Sequence, residues 1–294
     1  MALAAVLTVA GCDPGPRSSL TPQQRPAGLT SDLAVVPRSA KSQDLARYYQ
    51  KVQSDLLTRG LLRTDGGGPD TPYDASDLER NFENIAFFEE YSRGTVEARG
   101  HRAGGLLSRW SGPVRFGAEF GPSVPLDQRD LDLANIRNFS ARLGRITKHP
   151  VSYSSRNANF HVFVTGEDDT AFVRERLKKL IPNITDSQLS LFEGLPRSFY
   201  CLVVAISGDG TPYNYTRAVA LIRAEHPDLV RLSCVHEELS QGLGLPNDSP
   251  RARPSIFNDD DEFALLTSHD EKLLAMLYDP RLKQGMSADD ARPV

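Results

Sequence analysis

The residues with the greatest capacity for chemistry lie in one segment, Leu232-Ser-Cys-Val-His-Glu-Glu-Leu-Ser-Gln-Gly-Leu-Gly-Leu-Pro-Asn-Asp248. Leu232, Val235, Leu239 and Leu243 recur at helical intervals, which predicts a helix with one apolar stripe. Glu237 and Gln241, four apart, fall on the opposite face and can point into a cleft. Glu238 adjoins Glu237 and points about 100° round the helix from it. Hydrolytic zinc helices hold the metal with two histidines four apart, flanking a glutamate. Counted from His236, that spacing puts Ser240 in the second ligand place, and serine is a poor zinc ligand. His236 therefore reads as a helix-flank residue packed near the core, and less well as a ligand.

Counting from Glu237 instead changes the outcome. The pattern H-E-x-x-H-x-x-G-x-x-H then falls on Glu237, Glu238, Gln241, Gly244 and Asn247. The segment resembles the metzincin peptidase motif, with the base glutamate and the turn glycine kept and all three metal-ligand positions changed to Glu, Gln and Asn. Leu239, Leu243 and Leu245 match apolar positions of the matrixin branch. The resemblance implies that Gly244 lets the chain leave the helix and swing Asn247 back toward Glu237 and Gln241. Downstream, Pro254–Asn258 fills the place of the metzincin Met-turn, with Ile256 where the methionine would sit. Leu266–Tyr278 resembles the closing matrixin helix.

The chain is also similar to a family of bacterial lipoproteins catalogued as domain of unknown function 2927. Glu237–Ser249, Ser255–Asp260 and Leu277–Met286 carry that likeness. It implies a zincin-like fold and an exported location, and it supplies no reaction.

Zinc prefers imidazole nitrogen and thiolate sulfur. Glu237, Gln241 and Asn247 offer one anion and two amide oxygens, a set better suited to a hard ion such as Ca²⁺, and weak without more carboxylates. Asp248 adjoins the site; Asp259, Asp260 and Asp261 follow, and they read first as a solvated loop. His149, His161 or His226 could supply nitrogen from elsewhere, although a lone histidine is more often structural. The expected cofactor is none, or one not identifiable from these residues; zinc would lack its histidines.

The rest of the chain must position this segment. Its 294 residues are 39% hydrophobic and 24% charged, enough for one large core. A net charge of -4 with scattered Lys and Arg excludes a nucleic-acid partner, which needs clustered positive charge. Met1–Gly11 is almost wholly apolar, too short to span a bilayer as a helix, and fits a signal peptide. Val9-Ala10-Gly11-Cys12 resembles a bacterial lipobox, which implies lipidation of Cys12 and a membrane partner through that lipid. Two cysteines then remain, Cys201 in an apolar strand-like run and Cys234 on the site helix. In an oxidising compartment they read either as one disulfide pinning helix to sheet or as two buried thiols.

The expected organisation is a signal peptide at 1–12, a Pro- and Ser-rich tether at 13–41, a helical extension at 42–108, a zincin-like domain at 109–286 and a disordered tail at 287–294. Helices are expected over Ser42–Gly60, Ala75–Ser92, Leu126–Leu143 and Asp169–Leu180. In the third of these, Leu131, Leu133, Ile136 and Phe139 mark the inward side. Strands are expected over Trp110–Phe120, Val151–Ser154, Asn159–Val164, Ser198–Ser207 and Arg217–Glu225. The fold class is α/β (α+β): a mixed twisted sheet with a long site helix behind it, zincin-like, plus the N-terminal helices.

Three functions fit these readings. One is a non-catalytic zincin-like module in the cell envelope, binding a peptide or an envelope protein in the old cleft. The second is a metal-dependent hydrolase using Glu238 as base. The third is a structural envelope lipoprotein whose likeness is architectural only.

Overall fold

A computed structural model describes residues 37–88 and 105–294, which belong to one compact unit. Cys12, the expected signal peptide and most of the expected tether lie outside the described residues. Two helices come first, α1 (Ala40–Thr58) and α2 (Ala75–Ala86). Then follow β1 (Arg109–Trp110), β2 (Val114–Phe120), α3 (Leu126–Thr147), β3 (Val151–Tyr153) and β4 (Phe160–Thr165). The chain continues through α4 (Thr170–Leu180), α5 (Asp186–Ser190), β5 (Cys201–Gly208), β6 (Thr211–Arg223), α6 (Asp228–Gly244), α7 (Ser268–Leu277) and α8 (Ala288–Ala291).

The strands form one mixed sheet. β3, β2, β4 and β6 lie side by side and parallel, with β5 antiparallel to β6. β6 is long enough to meet both β4, over Ala218–Arg223, and the short β1, at Asn214 and Tyr215, along the edge that faces away from β5. Every residue of β4 is buried, as expected for a parallel strand covered on both faces. Alternation along β4 and β6 sorts the two faces. Phe160, Val162, Ala218, Ala220 and Ile222 join α3, α6 and α7 in the main core. Phe163, Val219 and Leu221 face Val173, Leu177, Leu189 and Phe192 on the other side.

The helix α3 is turned differently from the expectation. Leu131 is 42% exposed, whereas Asp132 is 2% exposed. The cause lies on α6, far away in sequence: Arg231 Nε donates to both carboxylate oxygens of Asp132 at 2.8 Å. Arg231 also donates to the His226 carbonyl at 2.6 Å and to Asp228 Oδ1 at 2.9 Å. A buried ion pair is tolerated only when both charges are held this way, and removing one partner strands the other. Asp132→Ala is therefore expected to cost about 3 kcal/mol in urea unfolding. A loss below about 1 kcal/mol would mean that Arg231 reaches water or another acceptor.

The N-terminal helices pack on the rest of the fold. Phe82 and Ile85 of α2 share the main core with Leu273 and Leu274 of α7. On α1, the Ser42 hydroxyl donates to Glu225 at 2.7 Å, and the Tyr49 hydroxyl donates to the Arg197 carbonyl at 3.0 Å. Residues 287–294 are not a disordered tail. Ser287 caps α8, Ala291 is buried, and Arg292 pairs with Glu83 of α2 at 2.7 Å.

Candidate functional site

The helix α6 carries the site and lies tightly on the sheet. A Cβ on Gly242 would come within 2.4 Å of the Phe160 ring, so only glycine permits this approach. Trp110 Nε1 donates to the Gly242 carbonyl at 2.8 Å, and the Tyr278 hydroxyl donates to the Leu243 carbonyl at 2.9 Å. These bonds satisfy carbonyls that a helix C-terminus would otherwise leave unpaired. Gly244 ends the helix at φ +130, and a Cβ there would meet the Ser108 carbonyl oxygen at 2.5 Å. Glycine is thus required at Gly244 on two counts, conformation and space.

Cys201, at the start of β5, and Cys234, on α6, form a disulfide with S–S 2.06 Å and Cα–Cα 5.9 Å. It ties the site helix to the edge of the sheet. Beside it lie the two glutamates. Cys201 Sγ and one carboxylate oxygen each of Glu237 and Glu238 all fall within 4.8 Å of one another. Among the described residues this is the one group of three or more His, Cys, Asp or Glu donors close enough to share an ion. Glu238 is buried and Glu237 half-buried. Both cysteine sulfurs are consumed by the disulfide, so neither offers a thiolate in this form.

The other two expected ligand positions, Gln241 and Asn247, are engaged structurally. Gln241 Nε2 donates to Asp248 Oδ1 at 3.3 Å. Asn247 Nδ2 donates to the Asn84 carbonyl of α2 at 2.8 Å. Ile256 is buried in the main core that α6 also lines. Its backbone N–H donates to Asp270 Oδ2 at 3.0 Å, and the Ser255 hydroxyl donates to Asp270 Oδ1 at 2.6 Å. Asp259 and Asp260 are exposed and Asp261 half-buried, in the loop that follows.

Four of the described histidines are held in structural contacts. His236 stacks on Phe139 with ring centroids 4.0 Å apart, and its Nδ1 accepts the Leu266 N–H at 3.0 Å. Burial holds its pKa down to about 3, with Arg142 adding to the shift. His226 is enclosed by Tyr49 and Tyr200, bonds the Tyr200 carbonyl through Nε2 at 2.8 Å, and is pushed by burial to about 3. His161 pairs with Glu119 at 2.8 Å, and His149 bonds the Gly112 carbonyl at 2.8 Å. None of the four belongs to the Cys201–Glu237–Glu238 group.

Sequence reasoning assigned Cys201 and Cys234 a structural role and did not connect them with the glutamates. Part of the signal was visible: Cys234, Glu237 and Glu238 stand at i, i+3 and i+4 of one helix, hence on one side of it. It also overlooked the anchoring role of Asp270. The signal there was local, since Thr267 and Asp270 form a capping box.

No described helix is long and apolar enough to cross a membrane. No curated protein and no solved structure matches the chain. Residues 75–294 match the family described as "Protein of unknown function (DUF2927)". That match covers most of the chain and nearly all of the described fold, so the chain belongs to the DUF2927 family.

Proposed function

We propose that this protein is an exported lipoprotein, anchored through Cys12, whose zincin-like domain binds a peptide or an envelope protein without catalysis. The observation that carries the reading is the use made of the ligand positions. The Asn247 amide holds α2, and the Gln241 amide holds Asp248. Groups that would have to converge on a metal serve instead as structural bonds, and a carboxylate base without a bound electrophile has little to act on. The mixed sheet with one antiparallel strand, the long helix behind it and the glycine turn at Gly244 agree with a zincin-like frame. A disulfide on the site helix suits an oxidising compartment.

The test uses the full chain, solubilised with its disulfide intact and purified without chelators. Elemental analysis is expected to find no stoichiometric transition metal, and a mixed peptide library is expected to remain uncut. About one zinc per chain that disappears in Gln241→Ala would overturn the reading. So would chelator-sensitive hydrolysis that is lost in Glu238→Gln. The anchor is tested separately: Cys12→Ser should move the protein from the membrane fraction to the soluble one.

A further inference from the structure

We propose that reduction of the Cys201–Cys234 disulfide creates a binding site for a thiophilic divalent cation of the Zn²⁺ class, formed by the two thiolates with the carboxylates of Glu237 and Glu238. This goes beyond the binding-module reading and does not depend on it, because Gln241 and Asn247 take no part.

The donors already stand together. Cys201 Sγ lies within 4.8 Å of carboxylate oxygens of both glutamates, and Cys234 Sγ is bonded to it at 2.06 Å. Cys234, Glu237 and Glu238 share one side of α6, while Cys201 faces them from β5. Two sulfurs and two oxygens drawn from two elements supply four donors, the number a tetrahedral zinc site takes. Zinc–thiolate bonds of about 2.3 Å place the sulfurs of such a tetrahedron about 3.8 Å apart. Side-chain rotation across the 5.9 Å between the two Cα atoms can bring the freed sulfurs to that separation.

The scaffold has ties to the sheet and to α3 that do not depend on the disulfide. The Gly242–Phe160 contact, the Trp110–Gly242 hydrogen bond and the Arg231–Asp132 pair all hold α6 in place. The donors therefore stay near one another once the sulfurs are freed. Cys201 is only half-buried on a strand with a single partner among the described residues, so a reductant and then an ion can reach it.

The chemistry balances with a dithiol as reductant. Its two thiols give two electrons and two protons to the disulfide; the Cys201–Cys234 S–S bond breaks, each sulfur leaves as a thiol, and the reductant closes to its own disulfide. The divalent ion then displaces the two thiol protons into solvent and binds the thiolates. In the oxidised form only the two carboxylates remain, and such a pair is a weak site for a soft ion. Metal binding would thus report the redox state of the disulfide.

The test uses the full chain in a Cys12→Ser background, so that Cys201 and Cys234 are its only cysteines. The chain is reduced with a water-soluble phosphine, desalted under argon and titrated with Co²⁺, followed by Zn²⁺ competition. The expected result is one Co²⁺ per reduced chain, with a sulfur-to-cobalt charge-transfer band and intense tetrahedral d–d bands that Zn²⁺ abolishes. The oxidised chain should show neither. Glu237→Gln with Glu238→Gln should weaken binding by at least about tenfold while circular dichroism stays unchanged. Absence of the bands in the reduced chain would overturn the proposal. Equal binding by the oxidised chain would overturn it too. Equal binding by the double Gln variant would do the same, since it would reveal two loose thiols and no built site.

Discussion

Asp270→Ala is expected to cost about 4 kcal/mol of stability, because it orphans several buried donors at once. Asp270 is fully buried at the first turn of α7. Its carboxylate accepts from the Ser255 hydroxyl at 2.6 Å, the Ile256 N–H at 3.0 Å and the Thr267 N–H at 3.0 Å. The Thr267 hydroxyl lies 2.8 Å from Asp270 Oδ2 and 2.8 Å from the Pro254 carbonyl, and its single proton is divided between them. Alanine leaves three donors with no acceptor, and each unsatisfied buried group costs roughly 1–3 kcal/mol. Relief from burying the carboxylate offsets part of that sum. Urea unfolding should show a lower midpoint at unchanged slope. The loss also bears on the site, because the freed segment carries Ile256 into the core that α6 also lines. Asp270→Asn keeps one acceptor oxygen and should lose roughly half as much. A loss below about 1 kcal/mol in Asp270→Ala would show that the Ser255–Ile256 turn is held by packing alone.

The sequence displays what is periodic and local, and the structure adds what is distant. The apolar runs of β4 and β6 and the stripe of Val235, Leu239 and Leu243 on α6 place strands and helix correctly, because burial imposes those patterns. Asp132 broke the rule that a charged residue marks the outer face of a helix. Its partner Arg231 lies 99 positions later, and no local pattern encodes that pairing. The same holds for Asn247, whose partner Asn84 is 163 positions away. It read as a displaced metal ligand because only tertiary contact reveals its bond to α2. α5 escaped notice because five residues are too few to show a period. The candidate site was half legible. The helix supplies Cys234, Glu237 and Glu238 in a spacing visible by eye, whereas Cys201 joins them only once β5 has packed beside α6. The pattern of the N-terminal helices left open whether they join the main domain, because the contact that decides it is distant in sequence: α2 brings Phe82 and Ile85 into the same core as α7.

Acid should destabilise this protein steeply between about pH 6.5 and pH 3, and two buried histidines are the reason. His226 and His236 each titrate near about 3 in the folded chain, chiefly because burial disfavours the imidazolium. In the unfolded chain each returns to about 6.5. Between those values the unfolded state binds two protons that the folded state refuses. Stability is therefore complete above about pH 6.5, falls by about 2.7 kcal/mol per pH unit for the pair as pH drops, and levels off below about pH 3. At pH 4.5 the two should together have removed about 5 kcal/mol. The substitutions that isolate this effect keep the hydrogen bonds. His236 accepts the Leu266 N–H at Nδ1, which an asparagine oxygen can replace; His226 bonds the Tyr200 carbonyl through Nε2, which a glutamine amide can replace. His226→Gln with His236→Asn should lose stability at pH 7 through poorer packing against Phe139 and Tyr49, yet flatten the decline between pH 6 and pH 4. An unchanged slope in that variant would assign the acid response to groups other than these two imidazoles. A flattened slope would instead make the two imidazoles, one just beyond β6 and one on the site helix, the groups through which acid destabilises the fold.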